Sequence, residues 1–226
     1  MVLILKQRFC SKDNLLLYCI VLYHKKRNTD IHLRSRDRVV GKTFCMKTDL
    51  SKFDNSWYQP GSAMKRLLWY LISAIFFKSW FPEKRSKIYL LRLFGAKIGA
   101  GVVIKPHVNI KYPWNLIIGN HVWIGEDVWI DNLDLVTIDD HACISQGALL
   151  LCGNHDYKKA TFDLIIGPIH IQEGGWVGAK AIVTQHVVVA SHSMIGAGSV
   201  VNKSTEPYMI YAGNPAVKVR ERKIKE

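Results

Sequence analysis

A period of six constrains this chain more than any other feature. From Ile98 onward an aliphatic residue opens each hexad: Ile98, Ile104, Ile110; Ile118, Ile124, Ile130; Ile138, Ile144, Leu150; Ile171, Val177, Val183; Val189, Ile195, Val201. Every step inside a triplet is six residues. A helix asks for 3.6 and a plain strand for 2, so the pattern excludes a long-helix fold and an ordinary sandwich. A short flat strand and a tight turn per hexad, three hexads to a triangular coil, would return each aliphatic side chain to one interior axis. Stacked coils then bury a column of Ile and Val, each side chain contributing roughly 1.5–3 kcal/mol on leaving water. The residue after the opener is often Gly (Gly99, Gly119, Gly125, Gly178, Gly196), as suits a turn where a Cβ would crowd or where φ is positive. The predicted fold is therefore mainly β, a parallel β-helix of about five coils over residues 98–203.

The interruptions point to the site. Steps of eight run from Ile110 to Ile118 and from Ile130 to Ile138, and one of 21 from Leu150 to Ile171. Two corners are thus enlarged, and a third extrudes a loop over 151–170. Loops on a rigid scaffold are where chemistry tends to lie.

Outside the repeat, residues 47–97 read as an N-terminal helical cap, 204–226 as a short C-terminal extension, and 1–46 as a basic extension, either an over-long start or a basic arm. The 226 residues carry a net charge of +13, and 1–46 hold ten basic against three acidic side chains. Such a balance predicts attraction to anions without choosing among nucleic acid, phospholipid and a polyphosphate cofactor; no interleaved aromatic and basic motif for nucleic acid is present. The five cysteines (Cys10, Cys19, Cys45, Cys143, Cys152) are odd in number and form no C-x-x-C pair, which fits a reducing cytoplasm better than a disulfide framework. Two apolar runs, Leu15 to Tyr23 and Leu67 to Phe77, are about half the roughly 20 residues of a spanning helix. The first is flanked by Lys25-Lys26-Arg27 and offers no small-residue cleavage site. The second lies between Lys65-Arg66 and Lys78 and reads either as a helix packed on its own domain or as an interfacial helix. Peripheral contact of residues 64–81 with the inner membrane face would suit a lipid-linked acceptor.

The hexads, together with DLSKFDNSWYQPG, LLRLFGAKIG, IKYPWNLIIGNHVWIGEDVWIDNL, CGNHDYKKATFDL and AGNPA, resemble the hexapeptide-repeat acyltransferases over residues 47 to 222. Within that family they look closest to the colanic acid biosynthesis acetyltransferases, relatives of the maltose and galactoside O-acetyltransferases. The resemblance implies a left-handed parallel β-helix, a homotrimer with active sites between subunits, and acetyl-CoA as co-substrate for O-acetylation of a sugar, free or lipid-linked, in exopolysaccharide assembly. No metal is implied.

Acetyl transfer to a sugar hydroxyl needs a base, and histidine titrates in the right range. His155 opens the extruded loop, five residues after Leu150, where the family's catalytic histidine lies. Asp131, Asn132 and Asp156 are candidates to fix its tautomer. Asp131 and Asn132 are equally candidates to hold acceptor hydroxyls, or to form the enlarged corner. Trp129 and Trp123, each just before an opener, would point outward as a sugar platform or as packing surface. Cys152 is set aside as a covalent nucleophile, on the expectation that its thiol points away when Leu150 points in. For the coenzyme, the family positions are Gly178 and Ala179 with Trp176 beside them, then Ala197 and Gly198, where small residues let the pantetheine arm pair with backbone. Lys203 and Arg220 match the cations of the phosphoadenosine end. A second family arginine falls on Val217, leaving Lys218 or Arg222 as its substitute.

Two other readings compete. A γ-type carbonic anhydrase on this fold would need zinc on histidines of facing subunits, and His121, His141 and His192 share the fourth hexad position. A non-catalytic β-helix scaffold would need no functional His155.

Overall fold

The structure is a computed structural model and describes residues 47–78 and 84–225. The basic segment 1–46, and residues 79–81 of the interfacial stretch, lie outside the described residues. From Lys97 the chain forms a parallel β-solenoid whose strands stack into three sheets. The first sheet holds Lys97–Ile98, Leu116–Ile118, Val136–Ile138, Ile169–Ile171 and Val188–Val189. The third holds Asn109–Ile110, Trp129–Asp131, Leu149–Leu151, Ile182–Thr184 and Val200–Val201. The second begins with Val103–Ile104, Trp123–Ile124, Cys143–Ile144, Trp176–Val177 and Met194–Ile195. It then gains Met209–Gly213 as a sixth parallel strand, on which Ala216–Glu221 folds back antiparallel. Residues 204–226 are thus not a mere extension: the solenoid has about six turns instead of five, and its last rung and closing hairpin lie in that segment.

All fifteen hexad openers are buried, and the register sets opener on opener, as in Ile98 beside Ile118 and Ile118 beside Ile138. A second inward column stands two residues earlier, through Val102, Val108, Val122, Val128, Ala142 and Ala148. Two-residue alternation within each short strand brings both to the interior.

The corners separate the two explanations offered for the repeat glycines. At the unenlarged corners the left-handed residue is the fourth of the hexad, with φ between 55° and 68° at Gly101, His107, His121, Asp127, His141, Gly147, Gly174, Lys180, His186, His192 and Gly198. Most of these are Gly, His or Asp, which tolerate that region better than bulky residues. The second-position glycines are there for closeness instead: a Cβ on Gly125 would stand 2.6 Å from the Gln146 amide nitrogen of the next coil.

Helices α1 (Ala63–Phe76) and α2 (Lys84–Leu93) cover the open edge of the first coil. Ser62 caps α1, accepting from the Lys65 amide at 3.3 Å. Buried Trp69 packs on Phe77 and Phe94 and donates its indole N–H to the Ile110 carbonyl at 2.8 Å. The ammonium of buried Lys87 donates to the Lys105 carbonyl at 3.2 Å, and burial pushes its pKa down. Edge carbonyls that would template another strand are thereby occupied. At the far end Ser193 meets Thr205 at 2.9 Å, Ser199 accepts from the Gly213 amide, and Arg222 donates to the Gly174 and His192 carbonyls at 3.0 Å each.

Candidate active site

The three enlargements predicted from the spacing all fall on one edge of the prism, between the third and first sheets. The first is a 3-10 turn at Pro113–Asn115. The second is braced by Asn132, whose amide accepts from the Tyr112 N–H at 2.9 Å and donates to the Tyr112 and Asn115 carbonyls at 2.6 and 3.1 Å. The third, expected as a loop, is a hairpin: Gly153–His155 pairs antiparallel with Leu164–Ile166, setting His155 opposite Leu164. The segment before α1 drapes over this edge, with the Asp49 amide donating to the Ala160 carbonyl at 2.8 Å and Tyr58 Oη to the Leu133 carbonyl at 2.7 Å. Burial raises the Tyr58 pKa, so its hydroxyl stays a donor.

These pieces enclose a cleft of about 530 Å³ bordered by His155, Asp131, Lys111, Tyr58, Phe53 and Arg66. The half-buried imidazole of His155 stacks on Phe162, centroids 4.5 Å apart at 10°, with Phe53 tilted across at 5.6 Å. Nδ1 lies 2.9 Å from the Phe162 carbonyl oxygen. A carbonyl can only accept, so Nδ1 carries a proton, and of the two neutral tautomers this contact selects the one with its lone pair on Nε2. Phe162 adopts φ +55° to present that oxygen, a left-handed conformation that costs a bulky residue about 1–3 kcal/mol and recurs at functional sites. Asp131 is buried at the cleft floor and ion-paired to Lys111 at 2.8 Å.

Several predicted positions are corrected. None of Asp131, Asn132 and Asp156 holds the tautomer; a backbone carbonyl does. Asn132 is fully enclosed, its amide satisfied by backbone, so it shapes the corner and offers nothing to a ligand. Asp156 forms a turn within the hairpin, accepting from the Lys158 amide at 3.1 Å. Trp129 is exposed but borders a neighbouring groove of about 470 Å³ along α1 and not the His155 cleft; Arg66, Lys111 and Tyr112 border both. Cys152 is wholly buried like Leu150 and does not border the cleft, and burial pushes its thiol up to about 12. His121 and His141 stack at 5.4 Å, but Gly174 takes the next corner of their column, and His192 packs on Tyr208 at 4.8 Å. Among the described residues no group of three or more His, Cys, Asp or Glu could hold a metal ion.

The coenzyme positions group apart from His155. Gly178 and Ala179 lie one coil from Ala197 and Gly198, joined by the Gly198 amide donating to the Ala179 carbonyl at 2.8 Å. This is the corner between the second and third sheets. Trp176 stands beside them on the second sheet, its indole donating to Ser145 Oγ at 2.9 Å. Lys203 and Arg220 are exposed. Of the substitutes, Lys218 is paired to Glu206 at 2.8 Å, and Arg222 is spent on backbone carbonyls.

Sequence reasoning missed Phe162, Phe53, Tyr58, Arg66 and Lys111. Only Lys111 left a signal: it follows Ile110 as Asp131 follows Ile130, so opposite charges occupy one hexad position in adjacent coils.

A parallel solenoid with a histidine-bearing hairpin on one edge defines the hexapeptide-repeat acetyltransferase class. The galactoside acetyltransferase solved in complex with coenzyme A superposes with a TM-score of 0.63 at 26% identity, covering 70% of this chain and 80% of that one. The hexapeptide-repeat acetyltransferase VCA0836 of Vibrio cholerae, solved with acetyl-CoA, shares the fold at a TM-score of 0.66 and 23% identity, covering 74% and 93%. No protein-family model matches the chain. The chain is 41% identical over 177 residues to WcaF of Escherichia coli K12, by name a colanic acid biosynthesis acetyltransferase, covering 77% of this chain and 97% of WcaF. It belongs to the WcaF family of acetyltransferases.

Proposed function

We propose that the protein transfers an acetyl group from acetyl-CoA to a sugar hydroxyl during exopolysaccharide assembly of the colanic acid kind, with His155 as general base. The observation that carries this reading is the His155 imidazole, held through Nδ1 at the border of a cleft that the buried Asp131 carboxylate also lines. Nε2 takes the hydroxyl proton as the oxygen attacks the thioester carbonyl. The tetrahedral adduct collapses, the C–S bond breaks, and the leaving thiolate recovers the proton from the imidazolium, giving an acetyl ester and free coenzyme A. No acyl-enzyme is required. Asp131 is the acceptor-binding carboxylate, oriented by Lys111. Trp176, Gly178, Ala179, Ala197 and Gly198 line the pantetheine track, and Lys203 and Arg220 meet the phosphates. Because that track and His155 lie on different edges of one prism, the complete site is formed between subunits of a trimer, as the family resemblance implies. The named relatives support the donor and the reaction, and the cytoplasm, where acetyl-CoA is made, is the place for it.

The test is His155→Ala, assayed with acetyl-CoA and a panel of hexose and deoxyhexose glycosides. Loss of a general base lowers turnover by roughly 10²–10⁴, while calorimetric binding of acetyl-CoA persists. Unchanged turnover would remove His155 as the base; no turnover by the wild type across the panel, together with no binding of acetyl-CoA, would replace this reading with a non-catalytic scaffold.

A further inference from the structure

Helix α1, AMKRLLWYLISAIF, contains no acidic residue and is apolar almost all round. One side is accounted for: Trp69 and Ser73 are buried, with Ile72 and Phe76 packed on the core. A second borders the groove through Arg66, Leu67 and Tyr70. The third points away from the solenoid. Met64, Leu68 and Leu71 fall within one stripe at helical spacing and are between 49% and 73% exposed. An all-round apolar helix is ordinarily covered, so this stripe asks for an occupant.

Charge selects it. Residues 55–115, which build the helical cap and the first coil, hold ten Lys and Arg against a single acidic residue, Glu83; residues 116–226 hold nine against twelve. The solenoid is therefore strongly cationic at its capped end and mildly anionic over its later coils. A second copy's cap meeting this one face to face would be repelled by the same cations. An anionic phospholipid surface is attracted by the cations and takes up the apolar stripe. Lys78, just past the C-terminal end of the helix and over the Tyr70 ring at 5.6 Å, adds a cation beside an exposed aromatic, the combination found at headgroup depth.

We infer that α1 is a membrane-docking helix that lays Met64, Leu68 and Leu71 into the headgroup region of an anionic bilayer. Docking sets the groove along α1 at the lipid surface, and that groove shares Arg66, Lys111 and Tyr112 with the His155 cleft. The inference goes beyond the proposed reaction and does not depend on it.

The experiment is vesicle co-sedimentation of the full chain and of the triple variant Met64→Gln, Leu68→Gln, Leu71→Gln. Vesicles of phosphatidylcholine with phosphatidylglycerol in equal parts are compared with phosphatidylcholine alone. The wild type partitions to the anionic vesicles, less so as salt is raised, and the variant partitions at least about tenfold more weakly at an unchanged melting temperature. Because both proteins carry residues 1–46, their difference reads the helix and not the arm. Equal partitioning of the two proteins, or none by the wild type, overturns the inference. So does a change in sedimentation coefficient in the variant without vesicle binding by the wild type, since the stripe would then be where copies of the chain meet.

Discussion

At the scale of single residues, burial sorts reactive groups from inert ones around the hairpin. His155 and Cys152 are three residues apart, yet one opens on the cleft and the other is wholly buried. With its thiol raised to about 12 from 9.0, Cys152 keeps its proton longer folded than unfolded. The stability this lends is present below pH 9, and it falls by at most about 1.4 kcal/mol per pH unit as the unfolded thiol alone ionises between about pH 9 and 12. Urea denaturation across that range is expected to show a shallower alkaline loss in Cys152→Ala than in wild type, and alkylating reagents at pH 8 to leave Cys152 unmodified until the protein unfolds. The candidate base His155 was legible as a candidate because it opens the one long interruption of the repeat. Its orienting partner was not, because a backbone carbonyl has no letter in the sequence; only the φ of Phe162 reveals it.

At the scale of elements, the coil is defined by what it cannot accommodate. The aliphatic openers were readable as a core because hydrophobicity is written in side chains. The left-handed fourth position was less so: Gly, His, Asp and Lys all fill it, and what they share is an amide that donates to the adjacent coil, as from His121 to the Ala100 carbonyl at 2.7 Å, not a residue type. Gly125 marks the limit of the packing. Alanine there would drive a Cβ against backbone of the next coil, at 2.6 Å from the Gln146 nitrogen and 3.0 Å from its Cα, and neither can rotate aside. Gly125→Ala is expected to destabilise the fold by about 1–3 kcal/mol, the usual range for overpacking. Gly198→Ala, where an added Cβ meets nothing within 4 Å but φ is +68°, serves as the comparison; chemical denaturation of both separates crowding from backbone strain. The sixth rung escaped the sequence because Met209–Gly213 follows no hexad opener and is recognised only by its pairing with Met194–Ile195.

At the scale of the whole molecule, the proposed distribution of the site over two edges has a direct test. Subunits carrying His155→Ala and subunits carrying Lys203→Ala with Arg220→Ala are each impaired alone when assayed at low donor concentration. Mixed by co-expression, they are expected to recover activity, because some interfaces pair an intact His155 with intact cations from the neighbour. No recovery would mean that each chain completes its own site.

The confinement of all three enlarged corners to one edge has a consequence for how such a protein can change. The other two edges repeat from coil to coil and hold the stack together, so they tolerate little rewriting. The third edge carries the variable parts: the 3-10 turn and the Asn132 corner, joined through the Asn132 amide, and the histidine hairpin all lie outside the column of stacked openers. A new acceptor can be reached by swapping that trim while the frame behind it stays as it is.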